Sequence, residues 1–285
     1  MDITTTKKAI QRLENLNASD EFAYEEAVIA FLSIGKVPII VHDLPVDASI
    51  CRARTHAPKE EFFYVTDDIF VPPIGVIKSF ARCNKPHQLK LYGSETRPIA
   101  YDELLKTWMS NHSNYPTLYV TVGKWIVKDA FNLILVTSPD QHLRSIGFDK
   151  YYGDFLDKSI AAYDAETREC FTLFYRFLFS KFRKEVNESI PNDIATYIIT
   201  SAYCNIALNL TRTQCNGIVY PSVPSKHEGL NFAFNSEVSK YDHFKLDKVY
   251  RNEFAITKTL NSTNFREVGI LEAISFDTSN NEISW

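Results

Sequence analysis

The segment Arg82–Glu103 reads RCNKPHQLKLYGSETRPIAYDE, and its pattern predicts a strand, a turn and the start of a helix. It begins with an arginine, reaches Tyr92 near its middle and ends on a glutamate. An arginine is a planar donor that suits phosphate, and a tyrosine ring gives a flat surface on which nicotinamide can stack. A carboxylate can bond a ribose hydroxyl and face a developing positive charge. Together the three residue types fit a dinucleotide.

The rest of the chain predicts an α+β fold, because helices are grouped between two sets of strands without βαβ alternation. Apolar spacing predicts helices at Thr4–Ser33 (in two parts), Pro98–Met109, Asp154–Val186 (one or two helices) and Asp193–Leu210. Branched and aromatic residues predict strands at Lys36–Leu44, Phe62–Val65, Leu89–Gly93, Leu118–Val122 and Trp125–Thr137, and again in GIVYP, LNFAF, DKVYRNEFAITK and EVGILEAISF.

The length of 285 residues is enough for one large domain with an added lobe. We expect an N-terminal helical extension over residues 1–45 and a catalytic domain over residues 46–285. The formal charge of −4 indicates no general attraction to nucleic acid or to an anionic membrane. The apolar runs fall short of the ~20 residues that a membrane helix needs. An odd number of cysteines without CxxC spacing, and an N-terminus without an apolar signal core, favour a cytoplasmic protein.

The nine glycines include no GxG pair and no GxxxxGK[ST] motif. The backbone loops that cradle phosphates in Rossmann and P-loop proteins are therefore not predicted. If the chain binds a dinucleotide, side chains must hold it.

An upstream island in two pieces and a downstream island accompany Arg82–Glu103. RART (Arg52–Thr55) and FFYVTDDIFVPP (Phe62–Pro73) precede it, and GIVYPSVPSKHEGLNFAF (Gly217–Phe234) follows far downstream. In this order the segments resemble the RES domain, a bacterial family named for an arginine, a glutamate and a serine. The resemblance runs from Cys51 to Phe234 as three islands.

The resemblance implies an ADP-ribosyltransferase-like core that binds NAD without a glycine loop. It places the family's arginine, tyrosine, glutamate and serine on Arg82, Tyr92, Glu103 and Ser222. Where family members commonly have glycine before the arginine, this chain has Ala81, which avoids the positive φ that glycine accepts. The implied activity is cleavage of the bond between nicotinamide and ribose in NAD, by hydrolysis or phosphorolysis.

In this interpretation Glu103 stabilises the cationic sugar, Tyr92 fixes the leaving ring, and Arg82 and Ser222 hold the pyrophosphate. NAD is the substrate, and no other cofactor or metal is expected. Family members include bacterial toxins that deplete NAD and are neutralised by a partner protein, so we expect an antitoxin or immunity partner. A homo-oligomer stays open.

Three more residues receive supporting roles. We expect Arg52 and Arg54 to point to opposite sides of a strand, so that one reaches the phosphates and the other is a surface charge. Asn231 is expected either to orient the ligand or to close a turn. Simpler roles also exist for the central residues, because Glu103 can merely complement a helix dipole and Ser222 can merely stabilise a turn.

Other functions remain as alternatives. The chain can be a transferase that moves ADP-ribose onto a protein, or a non-catalytic NAD-binding module. A zinc site is a weaker alternative, with the ligands Cys51, His56, Cys83 and His87. A serine hydrolase is weaker still, because the chain has no GxSxG motif.

Overall fold

A computed structural model describes residues 1–57, 60–111, 115–144, 147–187, 190–209, 214–223, 229–258 and 263–285. Two predicted features fall partly outside these residues. They are the last residue of the helix predicted to end at Leu210 and residues 224–228 of the third RES-like island.

The described residues confirm the predicted α+β class, with six α-helices and a large mixed sheet. The helices are α1 Ile3–Glu14, α2 Ala23–Ile34, α3 Arg97–Asn111, α4 Gly147–Ala161, α5 Ala165–Arg183 and α6 Pro191–Asn209. The strands are β1 Ile40–Leu44, β2 Ser49–Thr55, β3 Lys90–Ser94, β4 Thr117–Val127, β5 Phe131–Leu135, β6 Gly217–Pro221, β7 Leu230–Asn235, β8 Phe244–Lys258, β9 Thr263–Glu272, β10 Ser275–Asp277 and β11 Glu282–Ser284. None of the helices in these ranges is both long enough and apolar enough to span a membrane.

The chain forms two compact units. The first contains residues 1–43, 74–88 and 131–223, and of the six α-helices named above it holds all but α3. In this unit α1 packs against α2 and α5, and α2 packs against α6, so the N-terminal helices share an apolar core with the later ones. Strand β5 lies between β1 and β6 and pairs with β6 in parallel. The predicted boundary between residues 45 and 46 stays a prediction.

The second unit contains residues 44–73, 89–130 and 224–285. Its strands follow the order β7-β3-β2-β4-β8-β9, and every pair of neighbours in this series is antiparallel. Strands β2 and β3 meet through a single residue pair, Cys51 opposite Ser94, whereas β2 and β4 pair over seven residues. Strands β10 and β11 form a separate two-stranded ribbon.

Helix α3 covers one face of this antiparallel sheet. Its buried Ala100 and Leu105 pack against a cluster formed by Cys51, Leu118, Val120, Val122 and Phe254. These sheet residues alternate along their strands, as expected for one buried face. The packing fixes α3 above β2, so that the residues of its second turn lie near the sheet.

Two strand predictions are wrong in detail. Residues Phe62–Val65 form no strand; instead the Phe62 ring packs against Trp285 and the guanidinium of Arg251 lies over it. The aromatic enrichment there reflects side-chain packing and not strand pairing. The predicted strands Leu118–Val122 and Trp125–Thr137 are divided at a different place. Strand β4 continues through Gly123 to Val127, with a register shift between Lys124 and Trp125, and the chain turns before β5.

Candidate active site

The carboxylate of Glu103 is held by a chain of two side-chain hydrogen bonds in the second unit. Asn231 Nδ2 donates to Glu103 Oε1 at 2.5 Å, and Ser94 Oγ donates to Asn231 Oδ1 at 2.6 Å. Ser94 and Asn231 are buried, whereas Glu103 is partly exposed. Because the amide oxygen of Asn231 accepts the hydrogen bond from Ser94, the amide nitrogen is the atom that faces the carboxylate. Two buried groups therefore set the position of one partly exposed acid.

The register between β3 and β7 builds this arrangement. Ser94 lies directly opposite Asn231, and Tyr92 lies opposite Ala233. Residues opposite each other in an antiparallel ladder project to the same face, and so do residues two apart on one strand. Tyr92 and Ser94 therefore share the face that Asn231 presents to Glu103. The structure brings Asn231 and Glu103 together and places Tyr92 along the same face.

The helix dipole does not explain why an acidic residue stands at position 103 of α3. The helix begins at Arg97, no acidic residue lies in its first turn, and Glu103 belongs to the second turn. Because the dipole effect falls off within the first turn, it contributes little at this position. The hydrogen bond from Asn231 is the stronger reason for a carboxylate here.

Arg52 and Arg54 do not face opposite sides of β2, and that prediction is wrong. Residues two apart on a strand share a face, here the face opposite Cys51. Arg52 Nη1 donates to the carbonyl of Tyr92 at 2.8 Å, and Arg54 pairs with Asp68 at 2.8 Å. Burial, followed by the charge of Arg54, lowers the pKa of Arg52 to about 10. Arg52 therefore remains a cation. Its hydrogen bond to the Tyr92 carbonyl holds β3 against β2 close to Cys51 and Ser94, the single residue pair that joins these two strands.

Arg82 lies in the first unit, where its guanidinium binds the C-terminal end of α5. It donates to the carbonyls of Lys181, Phe182 and Lys184 at 3.1, 2.9 and 3.1 Å, and only 9% of the residue is exposed. The last carbonyls of a helix have no partner within the helix, and a cation there also complements the helix dipole. In this structure Arg82 is a helix cap. Its predicted role in binding phosphate stays a prediction.

Ser222 also belongs to the first unit, where it follows β6 and is fully buried. The predicted contact of its hydroxyl with a phosphate or ribose stays a prediction.

The residues of the zinc alternative have other environments. Burial raises the pKa of Cys51 to about 11, so its thiol stays protonated, and His56 Nε2 bonds Thr121 Oγ1 at 2.7 Å. Within the residues that the structure describes, no group of three or more histidine, cysteine or acidic side chains is arranged to hold a metal ion.

No family model, curated protein or solved structure matches this chain. The resemblance to the RES domain therefore rests on the quoted segments alone.

One member of the site was missed by sequence reasoning. Ser94 follows Tyr92 by two positions in LYGS, and this spacing on a predicted strand places both side chains on one face. Its partner Asn231 was a candidate, but the register that joins the two is set by pairing between distant segments. The arrangement as a whole offers a fixed carboxylate over the sheet face on which a half-buried tyrosine also lies.

Proposed function

We propose that the protein cleaves the N-glycosidic bond between nicotinamide and ribose in NAD, with Glu103 as the central catalytic residue. The observation that carries the proposal is the carboxylate of Glu103, held by Asn231 and Ser94 on the sheet face that Tyr92 shares. The choice of NAD as the substrate comes from the resemblance of the quoted segments to the RES domain. An ADP-ribosyltransferase-like core is part of the same proposal, and the antiparallel sheet covered by α3 supports it.

In the proposed reaction the bond between the ribose C1′ and the nicotinamide nitrogen breaks, and its electron pair leaves with the ring. Nicotinamide departs as a neutral base, while the ribose acquires oxocarbenium character. The negative charge of Glu103 stabilises this cation more than it stabilises the ground state, which is the condition for catalysis. Tyr92 stacks on the ring and orients it. Water then bonds C1′ and releases a proton to the solvent, or phosphate bonds C1′ through one of its oxygens.

Fixed geometry is the reason for assigning this role to Glu103 and not to another acid. A carboxylate that must rotate into place reorganises during the reaction, whereas one held by two buried groups is already oriented. Asn231 donates a hydrogen bond to one carboxylate oxygen and so holds that oxygen in place.

The wider biological role belongs to the same proposal. A cytoplasmic enzyme that removes NAD arrests growth, and such an enzyme requires a neutralising partner protein in the cell that makes it. Expression without that partner should lower cellular NAD.

The experiment that tests the proposal is incubation of the purified protein with NAD, with release of free nicotinamide followed by chromatography. We expect release in buffer or with added phosphate, and no labelled ADP-ribose on protein. Label on protein supports the transferase alternative. Binding of NAD without any release supports the non-catalytic alternative and overturns the proposal.

A further inference from the structure

A cleft of about 450 Å³ lies in the first unit, where the ends of three helices meet. Its walls come from the end of α1, the end of α5 and the first turns of α6. Arg82 donates to the carbonyls of Lys181 and Lys184, which line the cleft, and so fixes the end of α5 at this place. A cleft of this volume is large enough for a small organic ligand.

The two lysines that line the cleft differ in their partners. Lys184 Nζ bonds Asp193 Oδ1 at 2.7 Å. Lys181 has no carboxylate partner within the part of the chain that the structure describes, and its ammonium lies 5.2 Å from the centre of the Phe177 ring. Burial and then the charge of Lys184 lower the pKa of Lys181, and the opposing effect of Glu14, which also lines the cleft, is smaller. The electrostatic potential at this ammonium is therefore positive, which favours the binding of an anion.

The start of α6 forms a second wall that favours an anion. The first N–H groups of a helix have no partner within the helix, and they lie at the positive end of its dipole. Thr196, in the second turn of α6, lines the cleft and is only 2% exposed. Among the described residues its hydroxyl has no hydrogen-bond partner. The cleft therefore offers an ammonium, a hydroxyl and a helix start to one ligand.

The other polar groups of the cleft suit a hydroxylated molecule. Asn15, Asn17 and Asn192 line it, and an amide side chain both donates and accepts hydrogen bonds. The carboxylate of Glu14 adds an acceptor for hydroxyl groups. Together these side chains favour a sugar that carries an anionic group over an apolar ligand.

We propose that this cleft binds a small sugar phosphate, with Lys181 and Thr196 as ligands of the phosphate. A phosphate monoester carries about two negative charges and three acceptor oxygens, so it can bond the ammonium, the hydroxyl and the start of α6 together. The asparagines then bond the hydroxyl groups of the sugar. All of these residues belong to the first unit, whereas Glu103 belongs to the second, so this inference does not depend on the proposed cleavage of NAD.

Calorimetric titration of the full chain with ribose 5-phosphate tests the proposal. Lys181→Gln removes the charge and should raise the Kd by about tenfold or more, whereas Lys181→Arg should lose less affinity. Lys150→Gln is the matched control, because it removes the same charge from an exposed site on α4 of the same unit. Its Kd should stay within about twofold of the wild-type value, since the solvent screens an exposed charge.

Thr196→Val is a second variant, which removes the hydroxyl at nearly constant volume and should raise the Kd about fivefold. It carries the test if circular dichroism shows that Lys181→Gln does not fold. An unchanged Kd in the folded variants overturns the proposal.

Two further probes show which part of the ligand is recognised. Inorganic phosphate should bind more weakly than ribose 5-phosphate, and ribose alone should not bind at the same millimolar concentrations. If neither ribose 5-phosphate nor inorganic phosphate binds saturably, the proposal is overturned. Equal affinity for these two probes overturns the role of the asparagines, and binding of ribose as tightly as ribose 5-phosphate overturns the role of the phosphate. Release of nicotinamide from NAD, measured in parallel, tests the proposed function alone.

Discussion

Arg82 and Glu103 are both charged residues of the RES-like segment, but the fold uses them in different ways. Arg82 directs its guanidinium into the end of α5, where three backbone carbonyls accept its hydrogen bonds. Glu103 directs its carboxylate toward a side-chain amide that is itself fixed by a serine. The first charge completes a helix, and the second is oriented while partly exposed.

These two environments distinguish a charge that stabilises the fold from a charge that is available for catalysis. A charge that completes backbone hydrogen bonding is needed for stability, so its removal should be seen in unfolding. A charge held by buried side chains is positioned for another partner, so its removal should be seen in turnover. The variants below test whether this division holds.

The largest effect is expected for Arg82→Met. The substitution keeps an apolar stem but removes the donors for three carbonyls, two of them at the last residues of α5. We expect the free energy of unfolding to fall by about 3 kcal/mol, because buried groups lose charged hydrogen bonds. Urea denaturation followed by circular dichroism measures this change.

The control for Arg82→Met is Arg168→Met on the same helix. Arg168 is exposed, and arginine and methionine have similar helix propensity, so its free energy of unfolding should change by less than about 0.5 kcal/mol. Equal, small changes in both variants would show that the Arg82 cap contributes little to stability. Arg82 would then not be an example of a charge that stabilises the fold.

Glu103→Gln tests whether the second charge serves catalysis. Glutamine keeps the oxygen that accepts from Asn231 but removes the negative charge. If that charge stabilises the oxocarbenium ion, NAD turnover should fall at least 100-fold, equivalent to about 2.7 kcal/mol, while NAD binding changes little. Nicotinamide release measures turnover, and calorimetry measures binding.

The neighbouring Asp102→Asn is the matched control for Glu103→Gln. Successive residues of a helix point about 100° apart, so the same chemical change at Asp102 is directed elsewhere and should have only a small effect on turnover. If both variants lose little activity, Glu103 is a structural residue like Arg82.

Ser94→Ala should produce a smaller loss than Glu103→Gln. Without the serine hydroxyl the amide of Asn231 can rotate, so its nitrogen no longer faces Glu103 at all times. We expect kcat to fall by about tenfold while KM for NAD changes little, because the carboxylate is no longer held in one orientation. Ser94→Thr, which keeps the hydroxyl, should restore most of the activity. An equal loss of kcat in Ser94→Thr would indicate that the hydroxyl of Ser94 does not position Asn231.

Much of the fold could be predicted from the sequence because its signals are local. Apolar spacing predicted α1 and α2 as two parts of one segment, and it predicted α3 from Pro98 onward. The site depends on contacts between distant segments. Asn231 and Glu103 are 128 positions apart, and Arg82 reaches carbonyls 99 to 102 positions away. Residue type indicated that these groups are polar and suited to binding or catalysis. Their hydrogen-bond partners depend on the register between β3 and β7 for Asn231, and on the position of the end of α5 for Arg82.

The last prediction concerns His56, a buried titratable group whose role, like that of Arg82, is structural. His56 is 2% exposed, stacks on Phe63 and bonds Thr121. Burial, followed by the charges of Arg251 and Arg54, lowers its pKa from 6.5 to about 4. The folded protein therefore keeps this imidazole neutral where the unfolded chain would already bind a proton.

Because the unfolded state binds more protons, stability should fall as the pH drops below 6.5 toward 4. The contribution of His56 between pH 7 and pH 5 is expected to be on the order of 1–2 kcal/mol, measured as the shift in the free energy of unfolding by urea at each pH. His56→Gln cannot titrate, so its free energy of unfolding should depend less steeply on pH than that of the wild type in this window. Identical slopes in the two proteins would show that His56 is protonated as easily in the folded state as in the unfolded one. Since a structural group acts through the fold, the pH dependence of kcat for NAD, measured on folded protein, should be the same in His56→Gln as in the wild type.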